Sequence, residues 1–253
     1  MKKVVLKDLN LTKFSEFIAK LIPLNEAATI YYTIDGSRIY TDSHNDSGTI
    51  IKSVSLPIED ICSEHNITEK IKLCFYDGKK VLKAFSFLNG NKVNCQIDYQ
   101  EVDGENFAQK MVTQSAKMKV SLDAADPSLI EFSNVPEESM EEIKDIAASD
   151  CNFRLGREEL LQIQKMCDFD TGSDLLFSIN GSVKIGSKDV FELDIDEDFK
   201  GSDTLIECKL DKDLFKLIDN DVYTVHTMVE EGRVIFKSET NTNSIIVSLH
   251  EEV

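Results

Sequence analysis

The order of apolar runs and turns in the first half of this chain recurs in the second half, and that recurrence limits the fold more than any single motif. TIDGSRI at 33–39 resembles SINGSVKI at 178–185, and each holds an Asx-Gly pair between strand-like segments, a favoured hairpin signal. KVSL at 119–122 and IVSL at 246–249 close the two halves. In the first half, Phe14, Phe17, Ile18, Leu21 and Ile22 form a helical stripe that Pro23 ends. Asn10 or Thr12 can cap this helix. Strands follow at 29–35, 37–41, 49–56 and 71–77, a short helix at 78–88, and strands at 93–102 and 109–122. The second half reads as a helix at 157–168 with Leu160, Leu161, Ile163 and Met166 as its stripe. Strands at 175–181, 182–187, 190–195 and 204–209, a short helix at 210–218 and three closing strands complete it. The pattern predicts two copies of one module, 1–122 and 150–253. Between them, 123–149 reads as a connector, with Pro127, Pro136 and the acids Glu137, Glu138, Glu141 and Glu142.

The 253 residues are 42% hydrophobic and 29% charged, which suits a water-exposed globular chain with real cores. No apolar run approaches the roughly 18–20 residues of a membrane span, and MKKVVLKDLN lacks the apolar core of a secretory signal. The expected setting is intracellular and cytoplasmic, with no membrane partner. Cys62, Cys74, Cys95, Cys151, Cys167 and Cys208 form no CxxC pair and none lies near a histidine at zinc spacing. They read as reduced core thiols. His44, His65, His226 and His250 are scattered, and GxSxG, HExxH and phosphate-binding glycine loops are missing. A binding protein without cofactor or metal is expected rather than an enzyme.

The net charge of −18 makes one stretch stand out. Gly78–Leu88, GKKVLKAFSFL, holds Lys79, Lys80 and Lys83 and no acid, while Val81, Leu82, Phe85 and Leu88 recur at helical spacing. The other expected helices also carry basic groups: Lys13 and Lys20 on the first, Arg154, Arg157 and Lys165 at or near the third, Lys212 and Lys216 on the fourth. Lysine is a good helix former, so solvated helix faces explain part of this pattern. A surface for a polyanion explains the recurrence. A pI near 4.6 argues against simple coating of DNA, so any such contact needs the basic groups segregated on one side.

CFYDGKKVLKAFSFL at 74–88, SLDAADPSLI at 121–130 and VYTVHTMVEEGRVIFKSETNTNSIIVSL at the C-terminal end together resemble the DNA sliding clamps. The likeness is to the trimeric clamps of T-even-type bacteriophages and, more distantly, to proliferating cell nuclear antigen. It implies an α+β chain of two duplicated clamp-like domains, antiparallel sheets outside and two helices each inside. It further implies a homotrimeric ring around duplex DNA, a processivity factor that tethers a DNA polymerase and is opened by an ATP-driven clamp loader. A role as a transcription co-activator and a host-cell, viral setting come with the same resemblance. Carried onto this chain, the DNA-facing residues are Lys13, Lys20, Lys79, Lys80, Lys83, Arg154, Arg157, Lys165, Lys212 and Lys216. Glu16, Glu158, Asp211 and Asp213 dilute that lining, most of all on the last helix. A groove for partner peptides falls to Leu129, Ile130 and Phe132 in the connector and to Val247 and Leu249 in the last strand. Three rivals remain open: a monomer holding DNA on an open basic face, an acidic protein-interaction scaffold, and an enzyme with an unrecognised site.

Overall fold

The computed structural model describes residues 1–88, 92–126, 134–169, 175–187, 190–195 and 205–240, and the backbone of 244–248. It divides into two compact units, Met1–Asp46 with Ser53–Val135, and Ser47–Lys52 with Pro136–Val253.

The first unit runs β1 (Lys2–Lys7), α1 (Leu11–Leu21), β2 (Ile30–Ile34), β3 (Arg38–His44), β4 (Ile50–Pro57), α2 (Ile58–Ile61), β5 (Glu64–His65), β6 (Ile71–Phe75), α3 (Gly78–Ser86), β7 (Asn94–Val102), β8 (Glu105–Gln114) and β9 (Lys119–Asp123). The first residues of β4 belong to the second unit. That unit continues with α4 (Glu137–Ile143), β10 (Cys151–Leu155), α5 (Arg157–Phe169), β11 (Leu175–Ile179), β12 (Val183–Ser187), β13 (Phe191–Ile195), β14 (Ile206–Leu210), α6 (Leu214–Leu217), β15 (Tyr223–Met228), β16 (Arg233–Ser238) and β17 (Ser244–Ser248). The chain is α+β, as the resemblance implies.

Strand pairing shows the duplication more clearly than residue identity does. In the first unit β7 pairs with β1 and β8, β9 adds to β8, and β2 sits between β3 and β6, all antiparallel. In the second, β15 pairs with β10 and β16, β17 adds to β16, and β11 sits between β12 and β14. β4 extends β3 as β13 extends β12. After β4 the first unit carries α2 and β5 at 58–65, in a stretch that reads from the sequence as a connection or edge, and β5 does form an edge beside β1.

Each unit folds around an aromatic seam. In the first, Tyr32 on β2 meets Phe14 and Phe17 of α1 edge-on, at ring centroid separations of 6.0 and 5.8 Å, and Phe85 of α3 packs 5.2 Å from Phe14. In the second, Phe177 of β11 meets Phe153 of β10 at 5.0 Å, while Phe236 of β16 contacts Phe177, Phe215 of α6 and Tyr223. Tyr32 and Phe177 are both the middle residue of a five-residue strand. The same seat in the module is filled by a large ring in both copies.

Several expectations needed correction. The strand expected over 109–122 is two strands, because Ser115 turns the chain: its N–H donates to the Met118 carbonyl (2.8 Å) and its Oγ accepts from Met118 N–H (3.2 Å). β10 was missed, although Cys151, Phe153 and Leu155 alternate as its buried face. In α5 the buried stripe is Leu160, Ile163 and Cys167; Leu161 is exposed. Pro23 does not follow α1 directly but sits in a 3-10 turn, Ile22–Leu24, that continues it. The two Asx-Gly turns use different chemistry. Asp35 accepts from the N–H groups of Ser37 (2.7 Å) and Arg38 (2.9 Å), whereas Gly181 adopts a φ of 71°. The turn at Asp103-Gly104 has both residues at positive φ, 51° and 87°, as a tight hairpin requires.

All six cysteines are free and buried. Burial pushes the thiols of Cys74, Cys95 and Cys208 up to about 12, and that of Cys167 to about 11. Thiolate is the reactive form, so these groups should resist a thiol reagent such as DTNB at pH 8 while the chain is folded. All six should titrate once urea unfolds it. Fast labelling of several thiols in the folded chain would contradict this packing.

Candidate nucleic-acid interface

Helix α3 begins where β6 ends, and two features fix that junction. Asp77 is the N-cap, its carboxylate accepting from Lys80 N–H at 3.0 Å. Gly78 lies against the body: its N–H donates to the Ala28 carbonyl (2.7 Å), and a β-carbon there would stand 2.7 Å from Ile30 and 2.8 Å from Ile22 side-chain carbons. With the helix start pinned, Val81, Ala84 and Phe85 turn inward. Lys79, Lys80 and Lys83 are thereby left exposed, and none of the three enters an ion pair among the described residues.

α1 packs beside α3 through Phe14 and Phe85. Asn10 caps it, accepting from Lys13 N–H at 3.2 Å. Lys13 is tied to Asp60 of α2 by an ion pair, and Lys20 is half-buried near the last turn. The basic residues of the second unit are placed differently. Arg154 lies on β10 rather than on a helix and pairs with Glu239 at 3.2 Å. Arg157 opens α5 and reaches Asp221 at 3.3 Å. Lys165 is exposed on α5, whose Glu158, Glu159 and Asp168 outnumber its two basic residues. Lys212 falls in the turn before α6, not on it, because that helix is only Leu214–Leu217, shorter than the expected 210–218. Lys216 is paired with Asp213 at 2.7 Å. α5 and α6 pack together, with Gln164 Nε2 donating to the Phe215 carbonyl at 2.9 Å.

In each unit a pair of helices thus packs together, α1 with α3 and α5 with α6, but among the described residues positive charge outside any ion pair is concentrated on α3. Of the groove residues, Leu129, Ile130, Phe132 and Leu249 lie outside the described residues, and Val247 is described by its backbone alone. Among the described residues no cluster of three or more His, Cys, Asp or Glu side chains could hold a metal ion. Among the described residues no helix is long and apolar enough to cross a membrane.

Two buried charged residues hold the second unit's helices, and composition alone did not point to either. Lys52 is 2% exposed; its Nζ donates to the Leu217 carbonyl at the end of α6 (2.6 Å) and pairs with Asp219 (3.2 Å). A cation at a helix C-terminus satisfies both its carbonyls and its dipole. The signal was there in the strand alternation: Lys52 shares a face with Ile50 and Val54, both buried. Asp221 is 4% exposed, beneath Arg157. Burial alone would raise its carboxyl, but hydrogen bonds from Ser238 Oγ (2.6 Å), from Thr240 Oγ1 and from Val222 N–H, with the Arg157 guanidinium, hold it well below the usual carboxylate range.

No protein-family model matches the chain, and no curated protein matches its sequence. Solved structures do match its fold. Proliferating cellular nuclear antigen from Entamoeba histolytica superposes with a TM-score of 0.70 at 14% identity, over 98% of each chain. The β chain of DNA polymerase III from Streptococcus pneumoniae gives 0.68 at 14% identity, covering all of this chain and 66% of that one. The Helicobacter pylori β clamp, solved with a DNA ligase peptide, gives 0.64 at 11% identity over 100% and 67%. The chain therefore has the sliding-clamp fold. It spans nearly all of the nuclear antigen and about two thirds of the bacterial clamps.

Two substitutions probe these anchors. Gly78→Ala should destabilise the chain by about 1–3 kcal/mol in urea unfolding, because overpacking against Ile22 and Ile30 outweighs alanine's better helix propensity of about 1 kcal/mol. A neutral or stabilising result would mean that α3 is not seated as described. Asp221 has a depressed folded pKa, so its contribution is present above the ordinary carboxylate value and is lost as pH falls below about 4. Asp221→Asn should lower stability at pH 7 by about 1–3 kcal/mol and flatten the stability–pH curve below about pH 4. An unchanged acid slope would contradict the assignment.

Proposed function

We propose that this protein is a sliding clamp: a processivity factor that closes around duplex DNA as a ring and tethers a DNA polymerase. It holds DNA but does no chemistry on it. The observation that carries the reading is the exposed, acid-free lysine face of α3 in a chain of net charge −18. The sliding-clamp fold over essentially the whole chain supports it. An anionic body with cations drawn to one place attracts phosphate there and repels stray nucleic acid elsewhere. Lysine suits a sliding contact because it is a mobile point charge without fixed register. Such contacts position the duplex without reading its sequence.

Within this reading the ring is a homotrimer of the phage type, each chain supplying the two modules 1–122 and 150–253 joined by 123–149. A head-to-tail contact that closes gives a ring and leaves no bare sheet edge. Lys79, Lys80 and Lys83 carry most of the attraction, Lys165 and Lys20 add to it, and Lys13 contributes less because Asp60 pairs it. Arg154, Arg157, Lys212 and Lys216 contribute less, since Arg154, Arg157 and Lys216 are matched by acids of their own unit. An ATP-dependent loader opens the ring. Partner peptides, like the DNA ligase peptide on the H. pylori clamp, bind near Leu129, Ile130, Phe132, Val247 and Leu249. The setting is the cytoplasm of a host cell, where transcription is a further use of the same tether.

The concentration of unmatched charge on α3 favours one alternative, a monomer that holds DNA on one open face. Native mass measurement decides: three chains per particle support the ring, and a concentration-independent single chain excludes it. Loaded protein should stay on nicked circular DNA and run off once the circle is cut. Charge reversal of Lys79, Lys80 and Lys83 together should weaken retention on the order of tenfold or more at low salt. The melting temperature should hardly move, since exposed substitutions change stability by about 0.5 kcal/mol or less each. Unchanged retention in that variant would sink the lining assignment.

A further inference from the structure

Two aromatic rings bracket the lysine face and serve no core. Tyr76 is 57% exposed just before α3 and Phe87 is 51% exposed just after it. Lys80, Lys83 and Phe87 follow one another at intervals of three and four residues, the spacing of one helical stripe, while Tyr76 lies before the extended N-cap Asp77, outside the helix. Phe87 keeps helical backbone angles, so the stripe continues past the last turn. Tyr76 and Lys80 also share the wall of one concavity of about 400 Å³, closed on its other side by Ser121 to Ala124 at the end of β9. Asp77 and Asp123 are the acids in that concavity, and Asp77 is engaged by the N-cap contact to Lys80 N–H.

The fold does not require these rings. The equivalent helix of the second unit, α6, buries its one ring, Phe215, and presents no exposed aromatic side chain. The exposed rings therefore belong to α3's own surface and not to the module. A duplex gives such rings little, because its bases are stacked on one another and only their edges and phosphates face outward. An unpaired strand offers free base faces along with phosphates. Aromatic platforms interleaved with cations are the chemistry that holds it.

We propose that Tyr76 and Phe87 form, with Lys79, Lys80 and Lys83, a site for single-stranded nucleic acid, two rings stacking bases and the lysines taking the phosphates between. On the function proposed above, on which this site rests, its occupant is the unpaired strand where a duplex ends. The two roles separate by chemistry: lysines serve both, and the rings serve only the unpaired strand.

The test uses the full chain and three labelled probes of equal length: oligo(dT), an abasic oligomer of the same charge, and duplex. The chain has six tyrosines and no tryptophan, so quenching of tyrosine emission gives a second readout. The expected result is tighter binding of oligo(dT) than of the abasic strand. The Tyr76→Leu/Phe87→Leu variant should lose that preference, on the order of tenfold or more in Kd. Its melting temperature and its retention on nicked circular DNA should stay as in the parent. Equal binding of dT and abasic strands by the parent, or an intact preference in the double variant, overturns the site. Displacement by poly-glutamate as readily as by oligo(dT) overturns it in favour of an acidic peptide. If circles are retained normally while dT preference is absent, only the stacking site falls. If circles are not retained at all, the tether reading falls by itself.

Discussion

The seating of Gly78 under Ala28, Ile30 and Ile22 is the contact on which the interface depends. It fixes the azimuth of α3, because a side chain of any size at that position would lift the helix off β2. Once the azimuth is set, the apolar residues Val81, Ala84 and Phe85 have one place to go, and the lysines are on the outside by elimination. The Asp77 cap reinforces the arrangement and puts the only acid of the stretch to work on backbone N–H rather than beside a lysine amine. The exposed charge of α3 is thus a consequence of packing, and its persistence outside any ion pair among the described residues is what asks for a polyanion.

The duplicated module explains why the two units are alike in pairing and unlike in charge. Pairing is set by the core, where the same seats must be filled: Tyr32 or Phe177 mid-strand, Phe85 or Phe215 on the short helix. Outward positions answer to no such constraint and have diverged. On α3 of the first copy they collect lysines outside any ion pair among the described residues, while in the second, acids such as Asp221, Glu239 and Asp213 draw the basic side chains into ion pairs. Surface pairs like Lys216–Asp213 add little stability. They do lower the field those cations project into solvent.

The same division decides what could be read from the sequence. Apolar periodicity is enforced by burial, so the helices over 11–21, 78–86 and 157–169 and most strands were legible, as were the turns at Asp35-Gly36, Asp103-Gly104 and Asn180-Gly181. The stretch 109–122 was misread because Ser115 breaks the strand by hydrogen bonds to Met118, a local competition that alternation does not register. β10 is short and lies against the start of α5, so its three alternating apolar residues were overlooked beside the stronger helical stripe. For the interface, residue type and rough position were legible, but pairing was not. Nothing local announces that Arg154 will find Glu239, 85 residues on, or that Lys13 will find Asp60.

Lys52 shows the limit from the other side. Alternation puts Lys52 on the buried Ile50–Val54 face of its strand, but only the fold shows that its amine lies against the end of α6. Removing a cation from water is costly unless its donors are satisfied and its charge is met. Both conditions hold here, through the Leu217 carbonyl and the Asp219 carboxylate. The consequence is a division of labour among the cations. Those that close hydrogen bonds inside their own unit stabilise it and are withdrawn from any partner. The few that stay exposed beside no acid remain available. α3 holds three of the latter within five residues, which is why a chain of net charge −18 can still present a surface that phosphate would seek.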